Sequence, residues 1–333
     1  MRSVLLYFVA CLTLTTAVAQ PAPPKPGMEV SGLPVESVTV LGVKPSEETI
    51  KSFVDARTAP TRFLGKMARW TSRICPQTTG LKGTYANYIT QRIREIATAV
   101  GARLNTDAAC RPNLEVVFTT APQGLLDGVR KNEPEYLGYY DSTAEADQLA
   151  KVTHPLQAWY TTASQDIDGV QQVDNPSCGN DLVTTAQPDT LTANDEAISM
   201  GMHSLRGELA PCAKIVHSSG SRMNNGLTSG FYNVLIVAQP GKLADYEIGS
   251  LADYITLLAL SQPASLDTCQ KLPSISNMLA PDCASVPKRV TDGDLAYLRA
   301  LYRMPDGASL GIQRDEIRLL MTKTLVTDKN GAP

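Results

Sequence analysis

Apolar residues recur at helical spacing most clearly over 84–100. Tyr85, Tyr88, Ile89, Ile93, Ile96, Ala97 and Val100 fall on one face, which predicts an amphipathic helix with Gly101 as its C-cap. The segment 248–260 is apolar nearly all round, with Leu251, Ile255, Leu257, Leu258 and Leu260, and this predicts a helix buried at the centre of the protein. Further helices are predicted after Ser46 (Ile50, Phe53 and Val54 on one face, with Pro60 ending it), over 122–129, over 294–303 and over 313–320. Alternating or β-branched runs predict strands at 35–41, 114–119, 213–217 and 232–237, and an edge strand at 137–140. Runs 156–162 and 167–173 predict a hairpin about Asp166-Ile167-Asp168-Gly169. Around Cys75 the chain is expected to turn through Pro76 and Gly80, while 175–194 and 218–230, rich in turn residues, read as loops. Strands and helices do not alternate regularly, so the fold class is α+β, a mixed sheet packed against helices.

The chain opens differently. Met1-Arg2-Ser3 is followed by an apolar run of sixteen residues, 4–19, ending in Ala17-Val18-Ala19. A basic start, a short apolar core and a small-x-small end predict a signal peptide cleaved after Ala19, and the run is short for the roughly 20 residues a membrane span needs. Four prolines within 20–27 favour extended polyproline II, so 20–32 reads as a linker. The expected organisation is a signal peptide at 1–19, the linker at 20–32, one α+β globular domain at 33–323 and a frayed tail at 324–333. The mature chain is expected in the periplasm or secreted, with no membrane span.

Cleavage at that point removes Cys11 and leaves Cys75, Cys110, Cys178, Cys212, Cys269 and Cys283. An even count in an exported chain implies disulfides, although sequence alone does not choose among the pairings. Sequential pairing, Cys75–Cys110, Cys178–Cys212 and Cys269–Cys283, is expected because each pair brackets one local segment. No Cys-x-x-Cys occurs, which argues against zinc. The net charge of −3 comes without a cluster of Lys and Arg, so nucleic acid is not an expected partner.

Complete catalytic motifs are missing. There is no Gly-x-Ser-x-Gly elbow, no phosphate-binding glycine loop and no His-x-x-x-His pair among His154, His203 and His217. Asp166-x-Asp168-Gly169 and Asp292-Gly293-Asp294 carry too few ligands for a calcium loop and read as a turn and a helix start. No cofactor or metal is expected.

One ordered pattern remains. The buried helix 248–260 is followed by Pro273-Ser274-Ile275-Ser276-Asn277-Met278 and then by Asp294-Leu295-Ala296-Tyr297-Leu298-Arg299-Ala300-Leu301-Tyr302. This succession resembles the zincin metallopeptidases, in which a central His-Glu-x-x-His helix precedes a Ser-Ile-Met turn and an Asp-x-x-(apolar)-x-x-Leu-Tyr helix. The Asp294 to Tyr302 stretch matches best; Met278 falls later than the family's methionine. Laid on the central helix, the two zinc histidines fall at Asp253 and Leu257, and the glutamate base at Tyr254. Leucine does not bind zinc, and tyrosine is not a carboxylate base. The resemblance therefore implies a degenerate, zinc-free member of the fold. The chain also resembles uncharacterised secreted proteins of alphaproteobacteria, which adds no function.

Three functions follow as expectations. The first is a non-catalytic zincin-like protein whose former cleft binds an extracytoplasmic protein, peptide or glycan. The second is a secreted hydrolase of glycan or peptide using acidic residues, with Tyr139, Tyr140, Trp159 and Tyr160 either lining a sugar face or packing in the core. The third is an envelope structural or assembly factor.

Overall fold

Two strands buried along almost their whole length set the middle of the protein. They are β2 (Leu114–Phe118) and β5 (Thr228–Ala238), where only Tyr232 is half-buried. A computed structural model describes residues 44–174 and 226–327. In it β1 (Pro76–Thr79), β2, β3 (Leu156–Gln165), β4 (Gln171–Val173) and β5 form one five-stranded sheet in the order β1-β2-β5-β3-β4. β1, β2 and β5 run parallel, whereas β3 is antiparallel to both β5 and β4. The fold is α+β with a mixed sheet, as the sequence predicts.

Strands buried on both faces need cover on both. One face carries Leu114, Val116, Val234 and Ile236. It packs against α2 (Gly83–Val100), α5 (Ile248–Leu260) and α6 (Asp292–Arg303), joined by α1 (Glu47–Arg57) and α7 (Leu310–Thr322). The other face carries Val117, Trp159, Leu235 and Val237 under α3 (Pro122–Asn132) and a 3₁₀ turn, Pro134–Leu137. A short helix, α4 (Thr143–Leu149), follows that turn. α5 is buried at every position from Ser250 to Leu260, so its apolar circumference serves as core on all sides.

The helix ends follow local chemistry. Ser46 accepts a bond from the Thr49 amide, and Gly101 closes α2 in the left-handed region at φ 89°. Thr291 and Asp294 form a reciprocal capping box that starts α6.

Several expectations change. The edge strand expected at 137–140 is the end of the 3₁₀ turn: Pro134 fixes its first residue, and Gly138 leaves it at φ 95°. The turn expected at Pro76 is strand β1, whose polar Pro-Gln-Thr-Thr sequence pairs with β2 only through tertiary context. Of the loop expected at 218–230, the stretch from Thr228 already belongs to β5. The start of the expected frayed tail forms a π-helical turn, Lys323–Thr327, with Leu325 buried. The strands expected at 35–41 and 213–217 and the Cys178–Cys212 pairing lie outside the described residues.

Cys75–Cys110 and Cys269–Cys283 are disulfides, with sequence separations of 35 and 14. Each contributes about 3–4 kcal/mol in the chain-entropy model and fits an extracellular, oxidising setting. Among the described residues no helix is long and apolar enough to cross a membrane.

Candidate functional site

Asp253 sits inside α5 and is fully buried against α2. Ile89, Ile93 and Ile96 turn that face of α2 inward, and Arg92 lies among them. Arg92 Nε donates to Asp253 Oδ1 at 2.5 Å, while Oδ2 accepts from Arg289 Nε at 3.1 Å and from the Val290 amide at 2.8 Å. Burial works against the Arg92 charge, but the bond and attraction from Asp253 outweigh it and raise its pKa above the ordinary arginine value. Both carboxylate oxygens are therefore committed to protein donors. Leu257 is core, and Tyr254 is core too, with burial pushing its phenol up to about 12. The three positions that the resemblance aligns with a zinc site are thus a salt-bridged carboxylate, a leucine and a buried phenol. Among the described residues no group of three or more His, Cys, Asp or Glu side chains is placed to hold a metal.

The two segments that follow α5 in the resemblance are bonded to each other. Ser274 Oγ accepts from Arg57 Nη2 at 2.5 Å and donates to Asp294 Oδ1 at 2.5 Å. Asp294 Oδ2 takes the Ile275 amide at 2.9 Å and the Thr291 amide at 3.1 Å. Asp294 is thus a helix cap and a buried counter-charge for Arg57, 3.6 Å away. Asp166 plays a turn-forming part at the other aspartate cluster: its Oδ1 accepts the Asp168 and Val170 amides at 3.0 and 2.8 Å.

An open site exists beside β3. Gln239 N–H donates to Pro155 O at 2.8 Å, and the register sets Leu156 opposite Ala238. In an antiparallel pair, inward and outward main-chain groups alternate. Gln157, Trp159 and Thr161 therefore bond toward β5, while the N–H and C=O groups of Leu156, Ala158 and Tyr160 point away from it. β4 pairs only with Ala163, Ser164 and Gln165, so the edge before them has no strand partner among the described residues. Gly138 lies so close to Tyr160 O that an added Cβ would stand 2.7 Å from it, which closes the upper end of this edge.

The edge runs along a groove of about 420 Å³. Tyr139, Glu145, Gln148 and Lys151 line it, together with Pro60, Thr61, Arg62 and Gln262. Gln262 Oε1 is buried without a protein partner.

The four aromatics considered for a sugar face divide, Tyr140 being half-buried in the segment after the 3₁₀ turn. Trp159 lies under the sheet's outer face, its Nε1 bonded to Leu149 O at 2.6 Å. Tyr160 points to the opposite face, where its hydroxyl bonds Leu258 O at 2.9 Å and Ser261 O at 3.2 Å. Tyr139 stacks at a tilt on Phe63, 5.9 Å between centroids. They do not form one surface. His154 pairs at the surface with Asp267 at 2.9 Å, and His203 and His217 lie outside the described residues.

A second cleft, also of about 420 Å³, lies at Arg69, Arg103, Asp166 and Asp306. Arg69 there is committed to Asp306 and to the carbonyls of Leu301 and Met304 at 2.9 and 2.6 Å.

Sequence reasoning did not find the β3 groove. The expected arms, 156–162 and 167–173, are of equal length, whereas β4 forms only over Gln171–Val173 and leaves the start of β3 unpaired on that side. No family model, curated protein or solved structure matches this chain.

Proposed function

We propose that this protein is an exported, non-catalytic binding protein on a zincin-like scaffold, and that it holds an extended peptide along the free edge of β3. One observation carries the reading: the main-chain N–H and C=O of Ala158, on the side of β3 away from β5, face an open groove instead of a neighbouring strand. An extended peptide satisfies such an edge by adding a strand, with main-chain bonds giving affinity and the groove walls giving selectivity.

The element order supports the scaffold reading. β5 leads into buried α5, and the Ser274-Ile275 turn is bonded to Asp294 of α6. The non-catalytic reading is supported by Asp253, both of whose oxygens are engaged by arginines and an amide. The two disulfides support export to an oxidising compartment.

Selection from a random-peptide phage library tests the reading. Enrichment of strand-forming peptides that shift the Ala158 and Tyr160 amide signals is expected. Stoichiometric zinc with peptide cleavage, or binding to oligosaccharides and not to peptides, contradicts it.

A further inference from the structure

The groove is bridged at one end. Arg62 Nη2 lies 2.5 Å from Asp141 Oδ2, and Arg62 Nη1 pairs with Glu145. Next to this ion cluster Phe63 rests on Tyr139. Arg62, Tyr139 and Glu145 all line the groove, so these contacts join the turn at Arg62 to the segment 139–145 within its lining.

The two sides of the bridge are held differently. On the Tyr139 side, Glu145 Oε2 accepts the Asp141 amide at 2.9 Å, and Ser142 caps α4, so that wall is braced by its own bonds. The other side is a tight turn, 61–66, with a fixed base. Thr61 N–H donates to Lys66 O at 2.7 Å, Thr61 and Ser229 hydroxyls meet at 2.9 Å, and Lys66 Nζ donates to Leu227 O and Gly307 O at 2.6 Å each. Its tip is exposed: Phe63 is 52 % accessible, the Arg62 side chain 50 %, and Gly65 turns the chain at φ 64°. Surface ion pairs hold weakly and are screened by salt. The base is thus fixed by buried bonds, while the tip is held by the Arg62 ion pairs and the Phe63–Tyr139 ring contact.

We infer that the turn 61–66 is a strap that closes one end of the β3 groove through Arg62 and Phe63 and opens to admit the peptide. The inference rests on the peptide reading of that groove. The strap controls access, so its loss speeds both association and dissociation and leaves the main-chain pairing itself in place.

Trp159, at the groove floor, reports on the strap, and the only other tryptophan, Trp70, is buried in the opposite core and serves as an internal reference. Acrylamide quenching of intrinsic fluorescence is measured on the full chain, on Arg62→Ala and on Phe63→Ala. Both tryptophans are 3 % accessible with the strap closed. A rise of about two-fold or more in quenching of Trp159 is expected in Arg62→Ala, and in the native chain on raising salt to about 0.5 M. Arg62→Glu combined with Asp141→Lys and Glu145→Lys restores low quenching. Equal quenching in all variants at both salt levels overturns the strap. Hydrogen exchange of the Ala158 amide tests the groove reading separately: fast exchange in the free protein supports the open edge, and slow exchange overturns it whatever the strap does.

Discussion

Arg92 and Asp253 meet 2.5 Å apart between α2 and α5, at the place where a metal ligand would stand if the chain followed the zincin pattern. The pair is buried, and Arg289 completes it from the segment before α6. A buried carboxylate facing two arginines ties three separate parts of the chain together. Removing one partner from such a cluster leaves uncompensated charge, which typically costs about 3–5 kcal/mol.

Asp253→Ala is therefore expected to lower the unfolding free energy by about 3–5 kcal/mol in urea titration. Lys51→Ala, which removes an exposed partner of Asp55 one helical turn away, is expected to cost at most about 0.5 kcal/mol. Similar losses in the two variants would contradict the structural role given to Asp253.

Burial raises the pKa of Asp174, although the hydroxyls of Thr162 and Ser164 at 2.7 Å pull it the other way. The folded chain then holds this proton more tightly than the unfolded chain does. The group's contribution to stability is fully present below the ordinary aspartate value and is lost as pH rises through its folded pKa. Asp174→Asn is expected to flatten that part of the stability profile across mildly acidic pH. An unchanged slope contradicts the assignment.

The elements legible in the sequence were those whose pattern is local. The isoleucine stripe of α2 and the all-round apolar surface of α5 each specify their element within a few residues; the helix expected from Asp294 starts at Asp292, because Thr291 caps it. β1 was not legible because Pro-Gln-Thr-Thr has no strand pattern of its own; it is held by β2 and by the disulfide at Cys75. The expected strand at 137–140 failed because Gly138 is needed for close approach to Tyr160 O, a contact between separate segments. The groove itself was hidden for the same reason. Its walls come from Pro60 to Arg62, from α4, from β3 and from Gln262, and only the sheet order brings them together.

Cys75–Cys110 joins the start of β1 to the segment leading into β2. Replacing both cysteines by serine is expected to cost about 3 kcal/mol or slightly more by the loop-closure argument. The loss should appear as a lower urea midpoint, with a steeper slope because the unfolded chain without the crosslink exposes more surface. A midpoint equal to that of the native chain contradicts the stapling role.

The account turns on the outward-facing Ala158 amide. Proline at this position removes that N–H without deleting a bond to β5, as an edge strand permits. Affinity for a library-selected peptide should be measured for the native chain and for Ala158→Pro, with the fold checked by circular dichroism. A folded variant that has lost binding is the predicted result; a folded variant that binds as tightly as the native chain contradicts the account.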